Sequence, residues 1–192
     1  MARNKESSAT VDAVLKALAL GTITGVMLAA PNAVQSLEKP LEKFFYKLDE
    51  REKIRKLSKL RSYLKTQGLV RGDYDHGVEL TNKALKRIKK YDHNSLAVKV
   101  PPKWDGKWRI VMFDIPETKR DARVGFTRKM QEMGFQILQQ SVWIHPFESK
   151  PEVYSASSFY GVDKWVTYIV TDHIDNEKTL VRRFKLLLRL SN

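Results

Sequence analysis

The sequence holds no cysteine among its 192 residues, which excludes disulfides, thiol nucleophiles and cysteine-based zinc sites. A secretory signal is missing too. The start, Met1-Ala2-Arg3-Asn4-Lys5-Glu6, is mixed in charge, and no cleavage site follows the first apolar stretch. These absences suit a cytoplasmic protein. A long unbroken apolar run is also lacking: no charge occurs from Ala17 to Leu37, but the apolar part stops at Pro31-Asn32. Diluted by Gly21, Thr22, Thr24 and Gly25, it falls short of the ~20 residues that a spanning helix needs. Val11, Val14, Leu15 and Leu18 lie on one helical face with Asp12 and Lys16 off it. Residues 17–30 therefore read as part of a buried helix pair, with an N-terminal membrane anchor as the competing reading. No triad spacing, phosphate-binding loop or dinucleotide-binding glycine pattern occurs anywhere.

What is abundant is positive charge, a formal +13, with both halves of the chain basic. Charge of that size predicts affinity for a polyanion. Nucleic acid is favoured over membrane because the cations also have helical spacing, and the competing reading is a merely solvated surface. With 42% apolar residues the chain can build one or two small cores.

Asp49 with Glu52 resembles a capping box, and Ile54, Leu57, Leu60 and Leu64 recur at three- and four-residue steps. This predicts one amphipathic helix whose other faces carry Arg51, Lys53, Arg55, Lys56, Lys59, Arg61 and Lys65, stopped by Gly68. Leu69-Val70-Arg71 and Val78-Glu79-Leu80 flank a turn-forming run, Gly72 to Gly77, and predict a β-hairpin. Thr81 then caps a closing helix through Tyr91, with Leu80 and Leu85 at staple spacing. Helices, a basic helix, a hairpin and a last helix describe a winged helix-turn-helix. The basic helix would enter the major groove of double-stranded DNA, and the hairpin would touch the backbone through Arg71 and His76.

Asp92-His93-Asn94-Ser95 ends that helix and Val100-Pro101-Pro102 resists regular structure, which divides the chain into domains at 1–97 and 98–192. The second half reads β-α-β-β-α-β. Trp108 to Phe113 is a strand ending on Asp114, and a helix from about Glu117 to Met133 buries Ala122, Phe126, Met130 and Met133. Lys119, Arg120, Arg123, Arg128 and Lys129 are expected on its outside. Strand segments Phe135–Gln139 and Ser141–His145, a weak helix Pro151–Tyr160, a strand Trp165–Val170 and a basic, leucine-rich segment Thr179–Leu190 follow. The expected fold class is α+β, a winged helix-turn-helix followed by a ferredoxin-like βαββαβ domain. The second face of its sheet needs a cover, for which another copy of the chain is the expectation.

Trp104-Asp105-Gly106-Lys107-Trp108 through Phe113-Asp114-Ile115-Pro116-Glu117, with Arg120, Arg123, Gly134-Phe135 and Gln140-Ser141-Val142-Trp143, resembles the central domain of the PaaX family, repressors of phenylacetate catabolism. The same core resembles the small ferredoxin-like protein of CRISPR spacer acquisition. The repressors continue into a further C-terminal region, so their implied coenzyme A thioester effector is not carried over and a small-molecule effector stays unassigned.

The resemblance implies a homodimer with Asp114, Ser141, Val142 and Trp143 at its interface. In the CRISPR family the aspartate matching Asp114 is implied to hold a divalent metal for phosphodiester hydrolysis. Asp114 is thus the candidate catalytic and metal-binding residue, with Mg²⁺ or Mn²⁺ as the ion. No cofactor is required by the preferred reading, in which Asp114 caps a helix or sits between subunits. That reading is a dimeric, sequence-specific DNA-binding transcriptional regulator, a repressor by resemblance. The alternatives are a metal-dependent nuclease and a non-specific nucleic-acid-binding adaptor.

Overall fold

The computed structural model describes residues 10–16, 18–19, 49–73 and 77–189. It contains α and β structure with two antiparallel sheets, in two compact units, Met1–Asp92 and His93–Asn192.

In the first unit, residues 10–16 and 18–19 are helical and bury Val11, Val14, Leu15 and Leu18. The rest of the proposed helix pair, up to residue 48, lies outside the described residues. Helix α1 (Glu50–Thr66) starts where Asp49 Oδ1 accepts the Glu52 amide at 2.8 Å. It ends at Gly68, whose φ of 61° lets the Leu69 amide turn back to the Leu64 carbonyl at 2.9 Å. Strands β1 (Val70–Asp73) and β2 (Gly77–Leu80) pair antiparallel, Arg71 opposite Glu79. Thr81 then starts α2 (Asn82–Ser95). Its hydroxyl accepts the Ala84 amide at 3.3 Å and donates to the Gly68 carbonyl at 2.7 Å. Leu57, Leu60, Leu64, Leu69, Val70, Leu80, Ala84 and Ile88 close the core over the N-terminal helical segment.

Ile54 departs from expectation, since two thirds of it is exposed. At 100° per residue it stands about 90° from the centre of the Leu57, Leu60 and Leu64 stripe, beyond the edge of what the core covers. Leu85 is likewise half-exposed.

The second unit runs β3 (Trp108–Phe113), a 3₁₀ turn (Glu117–Lys119), α3 (Arg120–Glu132), β4 (Gln136–Gln139), β5 (Val142–His145) and α4 (Lys150–Tyr160). A second 3₁₀ turn (Asp163–Trp165), β6 (Val166–Thr171), α5 (Glu177–Arg183) and α6 (Lys185–Arg189) complete it. The four strands form an antiparallel sheet in the order β4-β5-β3-β6, so the connectivity is the ferredoxin-like β-α-β-β-α-β.

Strand alternation sends Val111, Phe113 and Trp143 into one core with Phe126, Met130, Val153 and Ala156 from α3 and α4. Trp108, Ile110 and Ile144 go to the opposite face. There they meet Leu180, Phe184 and Leu188, spaced four apart along the chain's own last helices. This face therefore has an intramolecular cover, where a second copy of the chain had been expected. The basic, leucine-rich segment is two short helices, with Phe184 between them and buried.

Lys129 also differs from expectation, being buried. It sits within about 60° of Phe126 on α3, inside the apolar stripe. Its ammonium reaches the Asn94 carbonyl at 3.3 Å and Glu132 at 3.5 Å, so the stem packs while the charge is partly satisfied. Among the described residues no helix is long and apolar enough to cross a membrane.

Candidate nucleic-acid interface

The leucine stripe of α1 fixes which cations point away from the core. Arg51, Arg55 and Lys59, at four-residue steps, lie opposite it and are exposed, with Lys56 and Lys65 exposed on either flank. These five have no hydrogen-bond or ion-pair partner among the described residues, so a helix 17 residues long presents a row of uncommitted positive charge. Lys53 and Arg61 sit closer to the core and are half-buried, Lys53 bonding Glu50 at 2.6 Å.

In the hairpin, Arg71 is exposed but donates to Glu79 across the strands at 2.8 Å. Such a surface pair contributes little to stability and is open to exchange for another anion. His76 lies outside the described residues.

Asp114 follows β3 directly. Its amide donates to the Trp165 carbonyl at 3.1 Å, while its carboxylate is exposed and has no partner among the described residues. The acid nearest it in sequence, Glu117, is taken up by Arg123 at 2.8 Å and Arg120 at 3.7 Å. Among the described residues no group of three or more His, Asp or Glu side chains is placed to hold a metal. Of the other residues assigned to a dimer interface, Ser141 is exposed and Val142 half-buried. Trp143 is 2% exposed, because it pairs with Val111 on the face turned toward α3 and α4. Its indole N–H has no hydrogen-bond partner among the described residues. Packed inside its own unit, Trp143 has no surface left for a partner.

One constellation was not singled out from the sequence. Arg109, 4% exposed, forks onto both oxygens of Asp105 at 2.7 and 2.5 Å and donates to the Lys107 and Pro146 carbonyls at 2.7 and 2.8 Å. Trp104 joins it, its indole N–H also donating to the Lys107 and Pro146 carbonyls, at 3.1 and 2.8 Å. The guanidinium holds the Asp105 carboxyl below its usual range. Next to it, burial first and the Arg109 charge after it push His145 down to about 4. The His145 Nδ1 accepts the Phe147 amide at 3.1 Å, which fits the neutral ring. The Asp105-Gly106-Lys107-Trp108-Arg109 motif thus works as a clamp on the loop after β5. A signal was present in the sequence, since an arginine inside an otherwise apolar strand requires a buried partner.

Residues 101–181 match the family model of the PaaX protein central Cas2-like domain. No curated protein matches the chain. Among solved structures it is similar to the uncharacterized protein Rv0674 from Mycobacterium tuberculosis, with 15% identity and a TM-score of 0.33. That likeness covers 89% of this chain and 66% of the other. The family match spans the clamp, the Phe113-Asp114-Ile115-Pro116 corner and all four strands of the second sheet, so residues 101–181 are similar to the central Cas2-like domain of PaaX proteins.

Proposed function

We propose that the protein is a homodimeric, sequence-specific double-stranded DNA-binding regulator of transcription, a repressor acting in the cytoplasm. The first unit is read as a winged helix-turn-helix, with α1 in the major groove, the hairpin as the wing, and the second unit joining two copies. One observation carries this reading: Arg51, Arg55, Lys56, Lys59 and Lys65 stand exposed and uncommitted on a helix whose opposite stripe is fixed in a core. A helix of this kind, followed at once by an antiparallel hairpin, supplies phosphate and base contacts from adjacent elements. The PaaX match over the second unit supports a regulator on family grounds.

The test is selection of bound fragments from a genomic library at physiological salt, followed by titration of selected and random duplexes. Selected duplexes bind at least ~1000-fold tighter than random ones at equal salt. Lys56→Ala and Lys59→Ala each weaken binding and lower the salt slope by about one unit per lost phosphate contact. Equal affinity for both duplex sets with a steep salt slope would instead identify a non-specific nucleic-acid adaptor.

A further inference from the structure

We propose that the outer edge of β6 is an interface with a second copy of this chain, two β6 strands running antiparallel to continue the sheet. The inference rests on the dimer in the preceding reading and says where its contact lies. The two edges of the second sheet are treated differently by the sequence. At the β4 edge the register is broken between Ile137 and Gln139, Arg183 donates to the Ile137 carbonyl at 3.0 Å, and Gln136 donates to the Arg183 carbonyl at 3.3 Å. A bulge and a side chain on a free carbonyl are devices that stop a strand from pairing further.

Among the described residues the β6 edge has neither. Val166–Thr171 pairs with β3 along its whole length without irregularity, and with no other described strand. It contains no proline, glycine or charged residue, and it exposes Ile169 and Val170 by 37% and 47%. An edge of this composition, with one row of backbone groups unpaired, is a template for another strand.

Charge selects the occupant. A chain of formal charge +13 repels its own copies wherever cations face each other, and six consecutive uncharged residues offer a place where two copies meet without that cost. Antiparallel pairing of a strand with itself is also what a twofold axis generates.

The arrangement has a consequence for Asp114. Phe113 pairs with Val166, so Asp114 lies at the beginning of β6. Two antiparallel β6 strands put their beginnings at opposite ends, roughly 15–20 Å apart for six residues at ~3.3 Å each. Carboxylates so far apart cannot share one metal ion.

Because the chain has no cysteine, single introduced thiols report only contacts between copies. Sedimentation of the full chain is expected to give twice the 22.2 kDa chain mass for the wild type and a single chain mass for Val170→Lys, with unchanged circular dichroism. In a scan of Thr167→Cys, Ile169→Cys and Val170→Cys, mild oxidation cross-links at least one variant, while Met112→Cys on the central strand stays uncross-linked. A monomeric wild type, a Val170→Lys variant that remains dimeric, or cross-linking confined to Met112→Cys overturns the interface. Duplex binding measured on the same samples keeps the two proposals apart. A wild-type dimer that ignores selected DNA leaves the β6 interface standing and sinks the regulator, and selective binding by a monomer does the reverse.

Discussion

His145 shows what burial does to one side chain. Held neutral in the fold, with its folded value near 4 against about 6.5 for the unfolded chain, it binds more protons when unfolded throughout the interval between them. Its contribution is fully present above about pH 6.5 and is lost as the pH falls toward 4, a change on the order of 3 kcal/mol. Urea denaturation at stepped pH is expected to show this decline, and His145→Phe should flatten it over the same interval. The Asp105 carboxyl, held low by Arg109, adds a further loss at more acidic pH. At His145, a strand-end histidine beside Pro146, the sequence favoured a satisfied structural histidine over a ligand, and the buried neutral ring agrees with it; how far burial moves its protonation was not legible. The clamp depends on Arg109 pointing inward, and strand alternation alone cannot say which face of a doubly covered strand has room for a guanidinium.

At the scale of elements the sequence was more informative, because helix periods and turn residues are local properties. Leu57, Leu60, Leu64, Gly68 and Thr81 do what their spacing implies, and the boundaries of α1 follow from the Asp49 cap and the glycine stop. The errors came from tertiary context. Ile54 matched the period but lies past the edge of the packed stripe, Lys129 was placed outside by its charge although its stem lies within the stripe, and the last helices fold back on the sheet. The contact between α3 and α4 rests on a small residue. A methyl group on Gly125 would run into the Tyr160 ring, whose hydroxyl is 3.0 Å from the His93 Nε2. Gly125→Ala is therefore expected to lower stability by about 1–3 kcal/mol in chemical denaturation and to shift the His93 ring resonances in NMR.

For the whole molecule, the basic total and the β-α-β-β-α-β order were readable from composition and pattern, whereas the chemistry at Asp114 was not. An aspartate after a strand is written the same way whether it caps, joins subunits or holds a metal. Among the described residues the Asp114 carboxylate accepts no helix amide, the turn after it starting at Pro116 without a side-chain cap, and Glu117 is tied to two arginines, so neither a cap nor a paired acid for a metal is found there. Incubation of pure protein with Mg²⁺ or Mn²⁺ and labelled DNA and RNA is expected to leave both intact. Metal-dependent cleavage that disappears in Asp114→Ala would establish the nuclease instead.

The Thr81 hydroxyl bonds the end of α1, through the Gly68 carbonyl, and the start of α2, through the Ala84 amide, while the Thr81 amide donates to the Leu69 carbonyl at 3.1 Å. Three elements meet at one side chain, so the last turn of α1 and the base of the hairpin open together or not at all. In amide hydrogen exchange Leu69, Thr81 and Ala84 should then share a single protection factor, and Thr81→Val should lower all three in step.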